Sequence, residues 1–212
     1  RRMGKSVLMR QLKAQLERTE TVVYIDKESL DFDEVRTAKD LVSHVESAGS
    51  GAGIRYVLID EVQYIDQWER AVASLNGRED TRVVISGSNS ELLSGELATR
   101  IAGRYVQLRV FPLSLAEFSE LHGLLHPPME QRRELLKLYL RTGGLPGLLH
   151  TDLSDELRTQ MQRDIFHTIV VKDIMNSHAI RDVRLFEGIM AFVMDTIGSP
   201  VSAKRIADFL KK

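Results

Sequence analysis

Gly4, Lys5 and Ser6 are the first residues with an evident chemistry, and a helical pattern of apolar residues follows them. They match the end of a G-x-x-x-x-G-K-[ST] loop, in which backbone N–H groups and a helix N-terminus hold phosphates. In such a loop the Lys5 ammonium group reaches the β- and γ-phosphate oxygens, and the Ser6 hydroxyl group binds Mg²⁺. Because the tripeptide is short and common, it indicates a phosphate site only together with a second motif.

Two adjacent carboxylates, Asp60 and Glu61, supply that second motif, since they follow the apolar residues 56–59. A continuous apolar run predicts a strand buried on both faces, and the carboxyl ends of parallel strands face the ligand crevice. Asp60 could then hold Mg²⁺ while Glu61 polarises an attacking water. A solvated acidic turn is the alternative, but it is frequent for one carboxylate rather than for two. The two motifs together predict a nucleotide site.

A third polar segment, residues 86–90, follows the apolar residues 83–85. A hydroxyl or amide side chain there could lie between the phosphate loop and the acidic pair and hold the nucleophilic water. An ordinary strand-to-turn transition is the alternative, because Gly, Ser and Asn favour turns. By itself this segment is weak evidence, and the first two motifs favour the functional interpretation.

Alternating helical and apolar patterns provide the elements that would position these residues. Such alternation favours a parallel sheet between two helical layers, so the predicted fold class is three-layer α/β. The predicted helices are residues 5–18, 37–46 and 66–75, and the predicted strands are residues 21–25, 56–59, 83–85 and 105–110.

The pattern changes after Pro112, beyond which no strand is evident. Ser114 and Glu117 have the spacing of a capping box and therefore predict a helix start. Further helical patterns cover residues 130–141, 155–176, 185–197 and 202–210. A domain boundary is therefore predicted near residue 112.

Composition excludes several classes of protein. The 212 residues, of which 43% are hydrophobic, suffice for one domain with a smaller companion. The net charge of −1 excludes a uniformly basic nucleic-acid coat, and the absence of cysteine excludes disulfides and thiolate metal sites. The histidines show no metal-ligand spacing.

Because the longest apolar run, residues 189–194, is too short for a membrane span and no export signal opens the chain, we expect a cytoplasmic protein without a membrane partner.

The motif order also indicates that the sequence starts inside a domain. The first glycine of the phosphate loop and the strand that normally precedes it would lie before residue 1. The sequence stops at the end of a helical pattern, on residues 209–212. We therefore expect an N-terminally truncated fragment that lacks the first strand of its core.

The order of these motifs resembles that of the AAA+ ATPases, and more narrowly of bacterial and archaeal AAA ATPase-like proteins with a C-terminal winged-helix region, a group close to the archaeal-type and STAND NTPases. The resemblance lies in GKS at 4–6, LIDEVQ at 58–63, VVISGSNS at 83–90, GRY at 103–105 and FPLSLAEF at 111–118. It implies a P-loop ATPase core over residues 1–112, an all-helical lid over residues 113–184 and the beginning of a winged-helix region over residues 185–212.

The resemblance also implies roles for individual residues. Lys5 and Ser6 become Walker A residues, and Asp60 and Glu61 become Walker B residues. The sensor-1 position falls on one of three candidates, which stay open: Ser86, Ser88 and Asn89. The residues that would contact ATP around the phosphate loop are Arg2, Met3, Gly4, Lys5, Ser6 and Val7.

The resemblance implies functional roles for Arg104 and Pro146, and for each residue a purely structural role is the alternative. Arg104, or less favourably Arg100, would be an arginine finger that acts on a neighbouring subunit, which implies a homo-oligomer. The alternative is a surface arginine that pairs locally. Pro146 would contact adenine, whereas the Gly-Gly-Leu-Pro-Gly segment on its own indicates only that one helix stops and another starts.

The C-terminal segment contains clustered basic residues, and the resemblance implies a DNA partner for them; a merely solvated helix face is the alternative. The residues are Lys204, Arg205, Lys211 and Lys212. The predicted function is hydrolysis of ATP to ADP with Mg²⁺, which drives a conformational change in the lid and helical region and acts on DNA or an unknown protein partner. The alternative function is a slowly hydrolysing nucleotide switch or DNA-binding adaptor of STAND-like type.

Overall fold

The chain folds into two compact units, Arg2–Phe111 and Pro112–Lys212. The computed structural model describes residues 2–49, 53–87, 105–149, 153–169, 174, 180 and 182–211. The division falls beside Pro112, and the assignment of the units to an ATPase core, a lid and a winged-helix region stays a prediction.

The first unit is a three-layer α/β structure over its described residues. Its elements in chain order are α1 (Lys5–Leu16), β1 (Thr21–Asp26), α2 (Ala38–Ser47), β2 (Arg55–Asp60), α3 (Trp68–Asn76) and β3 (Thr81–Ile85). The strands are parallel in the order β1-β2-β3, and Asp26 of β1 is in register with Asp60 of β2. The predicted α/β class and parallel sheet are therefore confirmed.

The central strand β2 is buried on both faces. Val57 and Ile59 belong to a core that α2 and α3 complete, while Leu58, which points to the opposite face, is also fully buried. Helix α1 packs against β1 and β2. A strand covered on both faces needs apolar residues at every position, which explains the unbroken run of residues 56–59.

The second unit is helical over its described residues. It contains α4 (Leu115–Leu121), α5 (Met129–Thr142), α6 (Asp155–Phe166), α7 (Val183–Asp195) and α8 (Ala203–Leu210). The predicted capping box is confirmed, because the Ser114 hydroxyl accepts from the Glu117 N–H and the Glu117 carboxylate accepts from the Ser114 N–H. The described residues of the predicted helical pattern 155–176 are helical, since a wider helical turn over residues 167–169 follows α6 and residue 174 is also helical.

The predicted strand at residues 105–110 is wrong. The segment is irregular, and the side chains of Val106 and Leu108 are 88% and 85% exposed. A strand requires a neighbour that pairs with its backbone, and among the described residues this segment joins none of the three strands. The β-rich composition of the segment was therefore not sufficient to make it a strand.

Among the described residues, every helix is too short or too polar to cross a lipid bilayer.

Candidate functional site

The start of α1 has the backbone geometry of an anion-binding helix end. Gly4 precedes the helix in the left-handed region (φ 90°), a conformation that glycine adopts without steric cost. No side chain caps the helix, so the first N–H groups of α1 point outward without an intrahelical acceptor. Lys5, Ser6 and Val7 form this first turn, and Arg2 and Met3 lead into it. This geometry suits phosphate oxygens.

The acidic pair lies at the carboxyl end of β2, where the chain turns sharply. Asp60 is the last residue of the strand and is 1% exposed. Glu61 is 8% exposed and holds a left-handed backbone (φ 53°), after which a 3₁₀ helix covers Val62–Tyr64. Because this conformation is unfavourable for a residue with a Cβ atom, the surrounding contacts must hold it in place.

Lys5 contacts both the acidic pair and the segment after β3. Its ammonium nitrogen donates a hydrogen bond to the Gly87 carbonyl oxygen at 2.6 Å and lies 3.5 Å from Glu61 Oε1. The side chains of Lys5 and Glu61 are only 19% and 10% exposed, so the two charges face each other with little solvent between them. The three motifs of the sequence therefore meet at one place.

Ser86 connects the two carboxylate residues. Its hydroxyl group donates to Asp60 Oδ1 and accepts from the Glu61 N–H at 3.4 Å. Its backbone continues the connection, since the Ser86 N–H donates to the Ile59 carbonyl at 2.8 Å and the Val62 N–H donates to the Ser86 carbonyl at 3.0 Å. Of the three sensor-1 candidates, Ser86 is the one that the described residues place at the acidic pair.

Two contributors to the site were missed by the sequence analysis. The Gln63 side-chain amide donates to Glu61 Oε2, and the signal for it was a polar residue two positions after the glutamate. Tyr24 lies on β1, and burial, reinforced by the negative charges of Asp60 and Asp26, raises its pKa from 10.0 to about 12. The alternation of side chains along β1 placed Tyr24 and Asp26 on one face of the strand and was the signal for that cluster.

The donor set at this edge of the sheet fits Mg²⁺. Ser6 and Asp60 offer a hydroxyl and a carboxylate oxygen, which are hard ligands of the kind that Mg²⁺ prefers. Among the described residues, no group of three or more His, Cys, Asp and Glu side chains could hold a metal ion by itself. Mg²⁺ commonly takes one or two protein oxygens and completes its shell with phosphates and water, so two protein ligands are sufficient.

The structure does not test the roles of several predicted site residues. Ser88, Asn89, Arg100 and Arg104 lie outside the described residues, so their roles stay predictions. Pro146 belongs to the second unit, where it begins the 3₁₀ helix Pro146–Leu148. Its proposed contact with adenine also stays a prediction.

The comparisons with known proteins agree with this geometry. The model of the AAA domain family matches residues 1–119. An uncharacterized protein of Haemophilus influenzae (strain ATCC 51907 / DSM 11121 / KW20 / Rd) is 34% identical over 218 residues, which cover 99% of this chain and 53% of that protein. An uncharacterized protein of Methanocaldococcus jannaschii is 26% identical over 162 residues, which cover 74% of this chain and 36% of that protein. No solved structure matches the chain significantly.

The chain thus spans about half the length of the first relative and about a third of the second. The matched residues 1–119 include the phosphate loop, the acidic pair and Ser86, and they make up more than half of the chain. This chain therefore belongs to the AAA domain family of P-loop ATPases.

Proposed function

We propose that this chain carries the Mg²⁺-dependent ATP-hydrolysing site of a longer AAA-type protein, and that hydrolysis to ADP drives a conformational change. The single observation that carries the proposal is the meeting of Lys5, Asp60 and Glu61 at one edge of the sheet. A cation for phosphate, a carboxylate for the metal and a second carboxylate for water are the parts that phosphoryl transfer requires.

Lys5 would bind the phosphates by exchanging its partners. The ammonium group now contacts the Gly87 carbonyl and Glu61 Oε1. Triphosphate oxygens, which carry more negative charge, would replace both contacts, while the N–H groups of the first turn of α1 bind further phosphate oxygens. The exchange separates Lys5 from Glu61.

Glu61 would then act as the general base. Its carboxylate accepts a proton from a water molecule, and the resulting hydroxide attacks the γ-phosphorus while ADP leaves. Ser86 keeps Asp60 and the Glu61 backbone in fixed positions through its hydroxyl and N–H contacts. Ser6 and Asp60 would hold Mg²⁺, which would supply charge neutralisation on the phosphate oxygens.

The test is the Glu61→Gln variant of the full-length protein. Glutamine keeps the volume and polarity of the side chain but cannot take the proton, so we expect turnover to fall by about two to four powers of ten with ATP affinity preserved. Turnover is measured by phosphate release and affinity with a fluorescent ATP analogue. Glu79→Gln, which changes an exposed glutamate between α3 and β3, is the matched control.

Unchanged turnover in Glu61→Gln would show that Glu61 has only a structural role and would remove the hydrolytic part of the proposal. Tight binding with negligible turnover already in the wild-type protein would favour the slowly hydrolysing switch or STAND-like adaptor.

The same proposal includes two partners of the full-length protein, which are DNA and further copies of the chain. Lys204, Arg205 and Lys211 of the α8 region are exposed, and such a basic group could contact DNA. The turnover rate measured against protein concentration, with and without DNA, tests both proposed partners. A rate per subunit that rises with concentration supports a homo-oligomer, and a rate that rises with DNA supports the DNA partner.

A further inference from the structure

We propose that Gln63 is a positioning residue that orients the carboxylate of Glu61 for catalysis. The inference rests on the proposed function, because it gives Gln63 a task only if Glu61 is the general base. Gln63 lies two residues after Glu61, within the 3₁₀ helix Val62–Tyr64, and is half-buried.

The two oxygens of the Glu61 carboxylate have different partners. Oε1 lies 3.5 Å from the Lys5 ammonium nitrogen, and Oε2 accepts a hydrogen bond from the Gln63 side-chain amide. A carboxylate held at both oxygens has a defined plane and a defined rotamer. Because Lys5 must also serve the phosphates, its contact is the one that nucleotide binding exchanges.

The 3₁₀ helix holds Gln63 in place through its neighbours. Val62 and Ile65 are fully buried, at 0% and 1% exposure, and the Ile65 N–H donates to the Val62 carbonyl at 3.0 Å. The Tyr64 N–H donates to the Glu61 carbonyl at 3.2 Å. The turn is therefore anchored on both sides of Gln63, and this holds the Gln63 amide at Oε2 of Glu61.

When Lys5 moves to the phosphates, the contact from Gln63 determines the orientation of the Glu61 carboxylate. Gln63 keeps its bond to Oε2, so the carboxylate retains its orientation and Oε1, the oxygen on the Lys5 side, accepts the proton of the attacking water. Without Gln63 the carboxylate would lose a contact that fixes its plane, and fewer of its orientations would face the water. Misplacement of a catalytic group by about 1 Å lowers the rate on the order of 100-fold, so we expect the loss of this contact to lower kcat by about 10- to 100-fold.

The test is a double-mutant cycle in the full-length protein with Gln63→Met and Glu61→Gln. Methionine keeps the length of glutamine but has no N–H donor. We expect Gln63→Met to lower kcat by about 10- to 100-fold, with the dissociation constant for ATP unchanged, because the contact concerns the attacking water and not the phosphates. In the Glu61→Gln background the same change should have no further effect on kcat, because the group through which Gln63 acts is gone.

Two further variants complete the design. Gln63→Leu likewise lacks the amide donor and adds no charge beside Glu61, so it should lower kcat as Gln63→Met does and replaces it if methionine prevents folding. Gln67→Met, which changes an exposed glutamine four positions further along, should leave kcat at the wild-type value. Thermal unfolding of each variant establishes that it is folded.

The outcomes separate the two proposals. If Glu61→Gln retains wild-type turnover, the proposed function fails. If Glu61→Gln loses turnover while Gln63→Met and Gln63→Leu keep it, the role of Gln63 alone is overturned. If either Gln63 variant lowers kcat by the same factor with and without the Glu61 carboxylate, Gln63 acts independently of Glu61 and the inference is likewise overturned.

Discussion

Glu61 shows how single residues are held in a costly conformation at this site. A non-glycine residue in the left-handed region costs of the order of 1–3 kcal/mol, and Glu61 is there with a φ of 53°. Contacts from Lys5, Ser86 and Gln63 surround it and offset this cost. The conformation ends β2 abruptly and turns the carboxylate toward the start of α1, where phosphate would bind.

The first prediction concerns Lys5. Lys5→Ala removes the ammonium group that would neutralise the phosphates, so we expect ATP affinity in the full-length protein to fall by about 2–5 kcal/mol, which is about 30-fold or more. A fluorescent ATP analogue measures the affinity. Lys39→Ala, at an exposed position of α2, is the control. Wild-type affinity in Lys5→Ala would refute the phosphate-loop interpretation.

At the scale of elements, the geometry of the turn after α5 explains why residues 143 and 144 are both glycine. Gly143 ends α5 in the left-handed region (φ 70°), and Gly144 packs directly against Leu113. The Leu113 N–H donates to the Gly144 carbonyl at 2.7 Å, and the Tyr139 hydroxyl donates to the Leu113 carbonyl at 2.7 Å. The segment that the resemblance links to adenine therefore also has a structural task, which is to join α5 to the start of the second unit.

This packing leads to the second prediction. A Cβ atom on Gly144 would lie 2.2 Å from the Leu113 carbonyl oxygen, whereas one on Gly147 would meet nothing within 4 Å. Gly144→Ala should therefore lower the free energy of unfolding by about 1–3 kcal/mol, the usual cost of overpacking, and Gly147→Ala should leave it almost unchanged. Urea unfolding of the two variants gives the comparison. Equal stabilities would mean that the backbone of residue 113 moves aside at no cost.

The start of α4 provides a prediction about pH. Hydrogen bonds from the backbone N–H and the hydroxyl group of Ser114 lower the pKa of Glu117 below its ordinary value of 4.5. A carboxylate whose pKa is lower in the folded state stabilises the fold above pH 4.5, and this stabilisation is lost as the pH falls through the folded-state pKa. Ser114→Ala should raise the pKa of Glu117, which an NMR titration measures.

At the scale of the whole molecule, the phosphate loop and the acidic pair lie in one compact unit, and the turn that contains Pro146 lies in the other. A lid that responds to nucleotide requires the two units to communicate, and an arginine supplied by a neighbouring subunit would require an assembly. Because the chain matches only part of each longer relative, both properties are predictions about the full-length protein.

The corresponding prediction uses Arg104. Arg104→Ala should preserve ATP binding and folding but lower turnover, because the arginine would stabilise transition-state charge in a neighbouring subunit. Mixing it with Lys5→Ala should restore some activity, since each subunit supplies what the other lacks. Arg109→Ala, at an exposed position nearby, should hydrolyse ATP normally.

Association of the two variants is verified in the same samples. Mixed oligomers without activity would show that Arg104 does not act in trans, and normal turnover of Arg104→Ala by itself would make it a structural residue.

Local patterns in the sequence were enough for the fold class and for much of the site. Unbroken apolar runs, helical periodicity and the capping box at Ser114 depend on residues near one another in the chain, so they predicted β2, α1 and the start of α4 correctly. The parallel direction of the strands followed from their alternation with helices. Gly4, Lys5, Asp60 and Glu61 could be proposed from the sequence because nucleotide chemistry requires these residue types at the ends of such elements.

Only the tertiary structure decided which groups touch. Lys5 and Gly87 are 82 positions apart, and their contact depends on how α1 and β3 are placed around β2. The contact of Ser86 with Asp60 and the bond from Gln63 to Glu61 depend on backbone turns that apolar periodicity does not encode. Residues 105–110 have strand-like composition but no pairing strand among the described residues, because a strand is stabilised by hydrogen bonds to a neighbour and not by its own sequence.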